Sequence, residues 1–156
     1  MTIAQLSFRS IAVAAALLAA GASASAAGLT IPINFTVSNS VQTFSKDAMG
    51  GFRVMEIAVE AKGNGTPVAG DPASYSFPVT QIVIGSKLNV AAGAAVGSAL
   101  QITRLNDDSV QIGLTVANFT INYDTKQVLA DTTIFGGNPA TDTAKQMPLY
   151  NFTVAT

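Results

Sequence analysis

The chain has 156 residues with eight basic and nine acidic side chains, so it is close to neutral and lacks the basic patch that nucleic-acid binders use to neutralise phosphates. It contains no Cys, His or Trp, which excludes disulfides, thiolate nucleophiles, Cys- or His-held metals and haem, and any Ser-His-Asp triad or His general base. A domain without such staples must be stabilised by its hydrophobic core.

At the N-terminus, Arg9 is followed by an apolar run over residues 11–22 and then by Ala22-Ser23-Ala24-Ser25-Ala26-Ala27. Charged, apolar and small-residue segments in that order predict a secretory signal peptide, residues 1–26, cleaved between Ala24 and Ala27. The apolar run is shorter than the ~20 residues needed to cross a bilayer core, so no transmembrane segment is expected in the mature protein. Residues 27–156 are expected to form a single β-rich domain, long enough for a core of its own. With Arg9 in the leader, the mature chain keeps all nine acidic residues and all but one of the eight basic ones. An exported chain of this kind belongs to a bacterial extracytoplasmic space: periplasm, cell surface or medium.

Residues 29–38 alternate Ile31, Ile33, Phe35 and Val37 with polar neighbours, the period of a half-buried strand. Pro32 cannot donate to a ladder, so that strand is expected to lie at an edge or to begin there. After Gly50-Gly51, the spacing of Arg53, Met55, Ile57 and Val59, with Glu56 and Glu60 opposite, favours a strand over a helix. Residues 62–72 are dense in turn formers and read as a surface loop. Residues 75–84 supply a closely apolar strand. The uncharged stretch 88–103, with Ala91-Ala92-Gly93-Ala94-Ala95-Val96-Gly97 inside it, reads as a packed loop or short helical turn and is too polar for a membrane span.

The clearest hairpin joins residues 100–105 to 110–116 through Asn106-Asp107-Asp108-Ser109. Ile112, Leu114 and Val116 share one parity and Phe119, Ile121 and Tyr123 the other, a slip that predicts a β-bulge near Ala117-Asn118 or a bend there. A turn at Asp124-Thr125-Lys126 then leads to a strand over 128–135. The loop Gly136-Gly137-Asn138-Pro139 precedes a last strand with Tyr150, Phe152 and Val154 on one face. These roughly seven to nine short strands predict an all-β fold, an antiparallel β-sandwich or small barrel, with a meander in its second half.

The triplet Asn-Phe-Thr recurs at Asn34, Asn118 and Asn151. An aromatic facing inward between two polar residues explains it better than a repeat or glycosylation does. Asp107, Asp108, Asp124, Asp131 and Asp142 offer oxygen ligands for calcium, yet turn chemistry accounts for acidic residues at such positions and no loop has the calcium-binding spacing. Glu56 and Glu60, or the Asp residues, are the carboxylates that an acid–base pair would use, although outward charges on a strand also keep a sheet soluble and discourage edge pairing. No residue is therefore assigned a catalytic, cofactor-binding or metal-binding role, and no cofactor is expected.

The expectation that follows is an exported, non-enzymatic envelope or secreted protein that acts as a structural, adhesive or assembly module. It would self-associate or meet a cell-surface or matrix partner, with uncharged windows such as residues 80–86 pairing edge to edge. The alternative is a β-barrel carrier of a small apolar ligand. An integral outer-membrane barrel is disfavoured by the few aromatic residues and the absence of Trp.

Overall fold

A computed structural model describes residues 28–32, 38–137 and 141–154. The expected signal peptide and its cleavage site lie outside these residues, as do residues 33–37 of the first predicted strand. The described residues form, in chain order, β1 (Leu29–Pro32), β2 (Asn39–Thr43), α1 (Lys46–Val54), β3 (Ala58–Gly63), β4 (Thr66–Val68), β5 (Asp71–Pro78), β6 (Gln81–Ile84), β7 (Val90–Leu105), β8 (Gln111–Asn122), β9 (Gln127–Phe135) and β10 (Thr141–Asn151). They make two antiparallel sheets. The larger has the order β1-β6-β7-β8-β9-β10 with β3 also on β7; the smaller has the order β2-β5-β4. The all-β, sandwich-like expectation holds. The barrel does not, because β1 and β3 on one side of the larger sheet never reach β10 on the other.

Local chemistry explains the second half of the chain. The Asn106 side chain accepts from the N–H groups of Asp108 and Val110 at 3.0 and 2.8 Å, closing the predicted β7–β8 hairpin. Asn122 does the same for Asp124 and Thr125 at 3.0 Å each and closes β8–β9. Both are Asx turns, in which a short amide side chain stands in for a backbone acceptor. Asn118 lies at φ 52°, and the β8–β9 register shifts between Ala117 and Thr120, so the phase slip is a bulge inside one continuous strand. The meander β7-β8-β9-β10 follows, as short connections between sequential strands require.

Four local assignments change. Residues 46–54 are helical although Gly50-Gly51 lie inside the helix. Ser45 caps it by accepting from Ala48 N–H at 3.1 Å, Asp47 occupies the first turn and Arg53 the last, and the Phe52 ring meets Phe44 edge-on at 5.3 Å. Capping, dipole complementarity and one aromatic contact thus offset the glycine penalty of ~1 kcal/mol per residue. Ser45→Ala is expected to cost the helix ~1 kcal/mol, measured as faster amide exchange at Ala48 and Met49. Residues 62–72 are not one loop: Lys62 and Gly63 end β3, β4 occupies Thr66–Val68, and β5 starts at Asp71. The predicted strand 75–84 is two, with Pro78 ending β5 in the smaller sheet and β6 starting at Gln81 in the larger. The Ala-rich segment belongs to β7, the longest strand, held by β6 and β8 over its first half and by β3 and β8 over its second. Ladder bonds on both sides override the weak strand propensity of Ala and Gly.

The register sets the two faces of the larger sheet. Leu100 opposes Val116 and Val116 opposes Thr132 on the face turned toward the smaller sheet. There Tyr75 and Phe77 of β5 join Leu100, Val116, Phe119 and Ala130 in the core, with Leu100 and Ala130 fully buried. Three short strands cannot cover a seven-stranded face. Both ends of that face remain open as clefts. Among the described residues, no helix is long and apolar enough to cross a membrane.

Candidate functional site

The first cleft, about 340 Å³, lies between β2 and the inner face of the larger sheet. Its floor contains one lateral row in strict register: Ile82 opposes Gly93, Gly93 opposes Ile121, Ile121 opposes Val128 and Val128 opposes Tyr150. Phe77 and Phe119 close one side, their rings 4.8 Å apart. Ser40 and Gln42, which oppose the core residues Phe77 and Tyr75 on β5, share the inward face of β2 and give the roof a polar lining. Among the described residues, no charged side chain lines the cleft. Burial raises the pKa of the Tyr150 hydroxyl, so it stays protonated and available as a neutral donor near pH 7.

The Ala-rich run acquires a physical role here. Gly93, Ala94 and Ala95 line this cleft, and a Cβ built on Gly93 meets only the Gln81 carbonyl, at 3.9 Å. The missing side chain leaves a hollow in the floor between Ile82 and Ile121. The second cleft, about 300 Å³, lies at the opposite end of the same strands, among Ile57, Ile102, Ile112, Leu114, Ile134 and Phe135. Arg104 also lines it.

A polar seam crosses the larger sheet where bulges line up on neighbouring strands. Gly97 N–H of β7 donates to the Asn118 side chain at 2.9 Å. Asn118 in turn donates to Asp131 of β9 at 2.8 Å. Asp131 also accepts from Lys145 Nζ at 2.9 Å and from the backbone N–H and side chain of Gln146 at 3.1 and 3.2 Å, at the bulge where the β10 register slips between Ala144 and Met147. With its side chain only 13% exposed, Asp131 is held well below the usual carboxylate range, first by Asn118 and then by Lys145 and Gln146. Both of its oxygens are engaged by protein donors. It anchors bulges and is poorly placed to hold a metal.

A second linked set joins the sheet start to β2: Ser74 Oγ donates to Asp71 at 2.6 Å and lies 2.6 Å from Thr43 Oγ1. The Ser74 and Ala73 bonds lower the Asp71 pKa, making it a weak base, and Ser74 is buried. A weak base beside a hydroxyl that no substrate reaches is poor material for nucleophilic chemistry.

The other carboxylates weighed from sequence are dispersed. Asp107 and Asp108 sit in the β7–β8 turn, Asp124 in the β8–β9 turn at the far end of β8, and Asp142 near the start of β10. Glu56 is in the turn after α1, and Glu60 is engaged by Lys62 at 2.8 Å. Among the described residues, no three acidic side chains come together as a metal-binding group. Of the three Asn-Phe-Thr sites, Asn34 lies outside the described residues, Asn118 is the bulge residue and Asn151 ends β10. The cleft escaped sequence reading because its floor draws one residue from each of several strands, although the run of Ala and Gly was its one local sign. No protein-family model matches the chain, and no curated protein or solved structure shows significant similarity to it.

Proposed function

We propose that the chain is a non-catalytic, exported structural or assembly module that joins other copies of itself, or a surface partner, by adding strands to a sheet edge. The observation that carries this reading is the contrast between β2 and the other edges. Edge strands expose unpaired N–H and C=O groups, and proteins guard them with charge, proline, bulges or brevity. Here β1 has four residues and ends in Pro32, β4 has three and contains Pro67, β3 carries Glu60 and Lys62, and β10 carries Lys145, Pro148 and two register breaks. β2, Asn-Ser-Val-Gln-Thr, has no charge, no proline and an unbroken register with β5.

Its free groups can be assigned. Val79 N–H bonds Ser38 C=O and Phe44 N–H bonds Ala73 C=O, each at 2.9 Å, which brackets the β2–β5 ladder. By antiparallel alternation Ser40 and Gln42 direct their backbone groups to β5, while Asn39, Val41 and Thr43 direct theirs to the open side. The window 80–86, expected from sequence to pair edge to edge, is unsuited to it, because its strand β6 lies between β1 and β7.

Val41 is 58% exposed, so Val41→Lys should change stability by no more than ~0.5 kcal/mol while placing a charge on the edge. Sedimentation of the purified protein at high concentration should show reversible association, weakened about tenfold or more in Val41→Lys. A protein that stays monomeric and binds neither cells nor matrix polymers would rule the proposal out.

A further inference from the structure

The first cleft supports a role separate from edge-to-edge joining. We propose that it binds a small, neutral, chiefly apolar molecule, of the size of one or two fused rings or a short acyl chain, with a single uncharged hydrogen-bonding end. Four observations converge on that chemistry.

Size comes first. At about 340 Å³ the cleft has roughly twice the ~150 Å³ in which a protein cavity holds benzene, and it stands at the lower end of the ~300–1,000 Å³ typical of ligand sites. The second observation is charge. With no ionic side chain among the described lining residues, a charged ligand would lose its hydration without a compensating partner, whereas a neutral one would not. Third, the polarity is concentrated on the β2 side: the floor row is apolar apart from the Tyr150 hydroxyl at its end, while Ser40 and Gln42 face it from β2. An apolar body therefore lies against the sheet and a neutral donor or acceptor turns toward β2. Last, the hollow is built in. Gly93 stands between Ile82 and Ile121 in a floor row that continues through Val128 to Tyr150, and its backbone is not in the left-handed region that would demand glycine. Strand geometry and steric crowding do not require a glycine there, since the nearest atom to an added Cβ is 3.9 Å away. Its absent side chain makes room in the floor for a ligand.

The same glycine supplies the test, because the added methyl groups of Gly93→Val would point into the cleft and fill it, and valine suits a strand. The probe is 2-naphthol, two fused rings with one hydroxyl, followed by fluorescence titration. Naphthalene-2-sulfonate serves as the charged counterpart. Wild-type protein should bind 2-naphthol saturably at one molecule per chain. Gly93→Val should weaken binding about tenfold or more, equivalent to ~1.4 kcal/mol, with Gly93→Ala in between. The sulfonate should bind at least about tenfold more weakly than the naphthol in wild type. Thermal melts establish that the variants fold, and if Gly93→Val does not, Gly93→Ala decides. The proposal is overturned by a lack of saturable 2-naphthol binding, by unchanged affinity in a folded Gly93 variant, or by equal binding of the sulfonate. Gly93 belongs to β7 and not to the β2 edge, so these outcomes leave association through β2 to be decided by sedimentation, while Val41→Lys, at a residue that also borders the cleft, is not used to test binding.

Discussion

Phe77→Ala should destabilise the protein by ~4 kcal/mol, the largest effect we expect from any single truncation. Phe77 is 3% exposed and is, with Tyr75, one of the two aromatic side chains by which β5 packs on the larger sheet, its ring 4.8 Å from that of Phe119. The turn between β3 and β4 is shaped around it: a Cβ on Gly65 would come within 3.1 Å of the ring. Glycine there lets the backbone rest on the aromatic face. Truncation removes the transfer energy of the ring and leaves a void that two crossing sheets cannot collapse to fill. A chain of this size should lose at least about 10 °C in melting temperature. Val110→Ala is the control, since Val110 is 51% exposed at the mouth of a turn and should shift stability by less than ~0.5 kcal/mol. A Phe77 variant that melts with the control would mean that the smaller sheet contributes little to the fold.

Asp131→Ala should cost ~3 kcal/mol, and its cost should depend on pH. The substitution strips acceptors from Asn118, Lys145 and Gln146 at once. Hydrogen bonds to a charged group are worth ~1.5–3 kcal/mol each, but solvent can replace part of the exposed Lys145 contact, so the sum is not reached. The damage extends beyond one residue because the same carboxylate anchors bulges on β8 and β10. The direction with pH follows from linkage. The Asp131 pKa in the folded state is lowered by Asn118 first, then by Lys145 and Gln146, so its contribution is complete above the unfolded value of about 3.9 and is lost as pH falls from there toward the folded value. Urea unfolding of wild type and Asp131→Asn at a series of pH values should show the widest gap above about pH 5, narrowing below pH 4. A constant gap across that range would show that the carboxylate charge does not stabilise the seam.

The β2 edge and the Gly93 cleft lie on the same side of the molecule, since Ser40 and Gln42 belong to both. A strand added to β2 would extend the smaller sheet over the exposed part of the larger sheet's inner face, where Tyr150 is 44% exposed. A strand on β2 and a ligand in the cleft would therefore lie side by side, and Gly93→Val alters the floor of the cleft while leaving the β2 edge as it is.

What the sequence by itself determined is whatever neighbouring residues decide among themselves. Asn106 closes its turn with its own side chain, and the parity change between Val116 and Phe119 marks a bulge or a bend because strand alternation has a period of two. The lack of Cys, His and Trp excludes whole chemistries without any coordinates. The helix over residues 46–54 was not legible in the sequence, because Gly50-Gly51 argue against a helix and the contact between Phe52 and Phe44 is not written along the chain. Only the tertiary structure decided which strands share a sheet. Residues 75–84 look continuous in sequence, yet Pro78 ends one ladder and Gln81 begins another, and an Ala-rich segment becomes the longest strand because partners on both sides supply its hydrogen bonds. The cleft and the Asp131 seam belong to the same category. Gly93 opposes Ile82 and Ile121, and Asn118 meets Asp131, through pairings between distant parts of the chain, and no spacing along a single strand records which residue will stand opposite which.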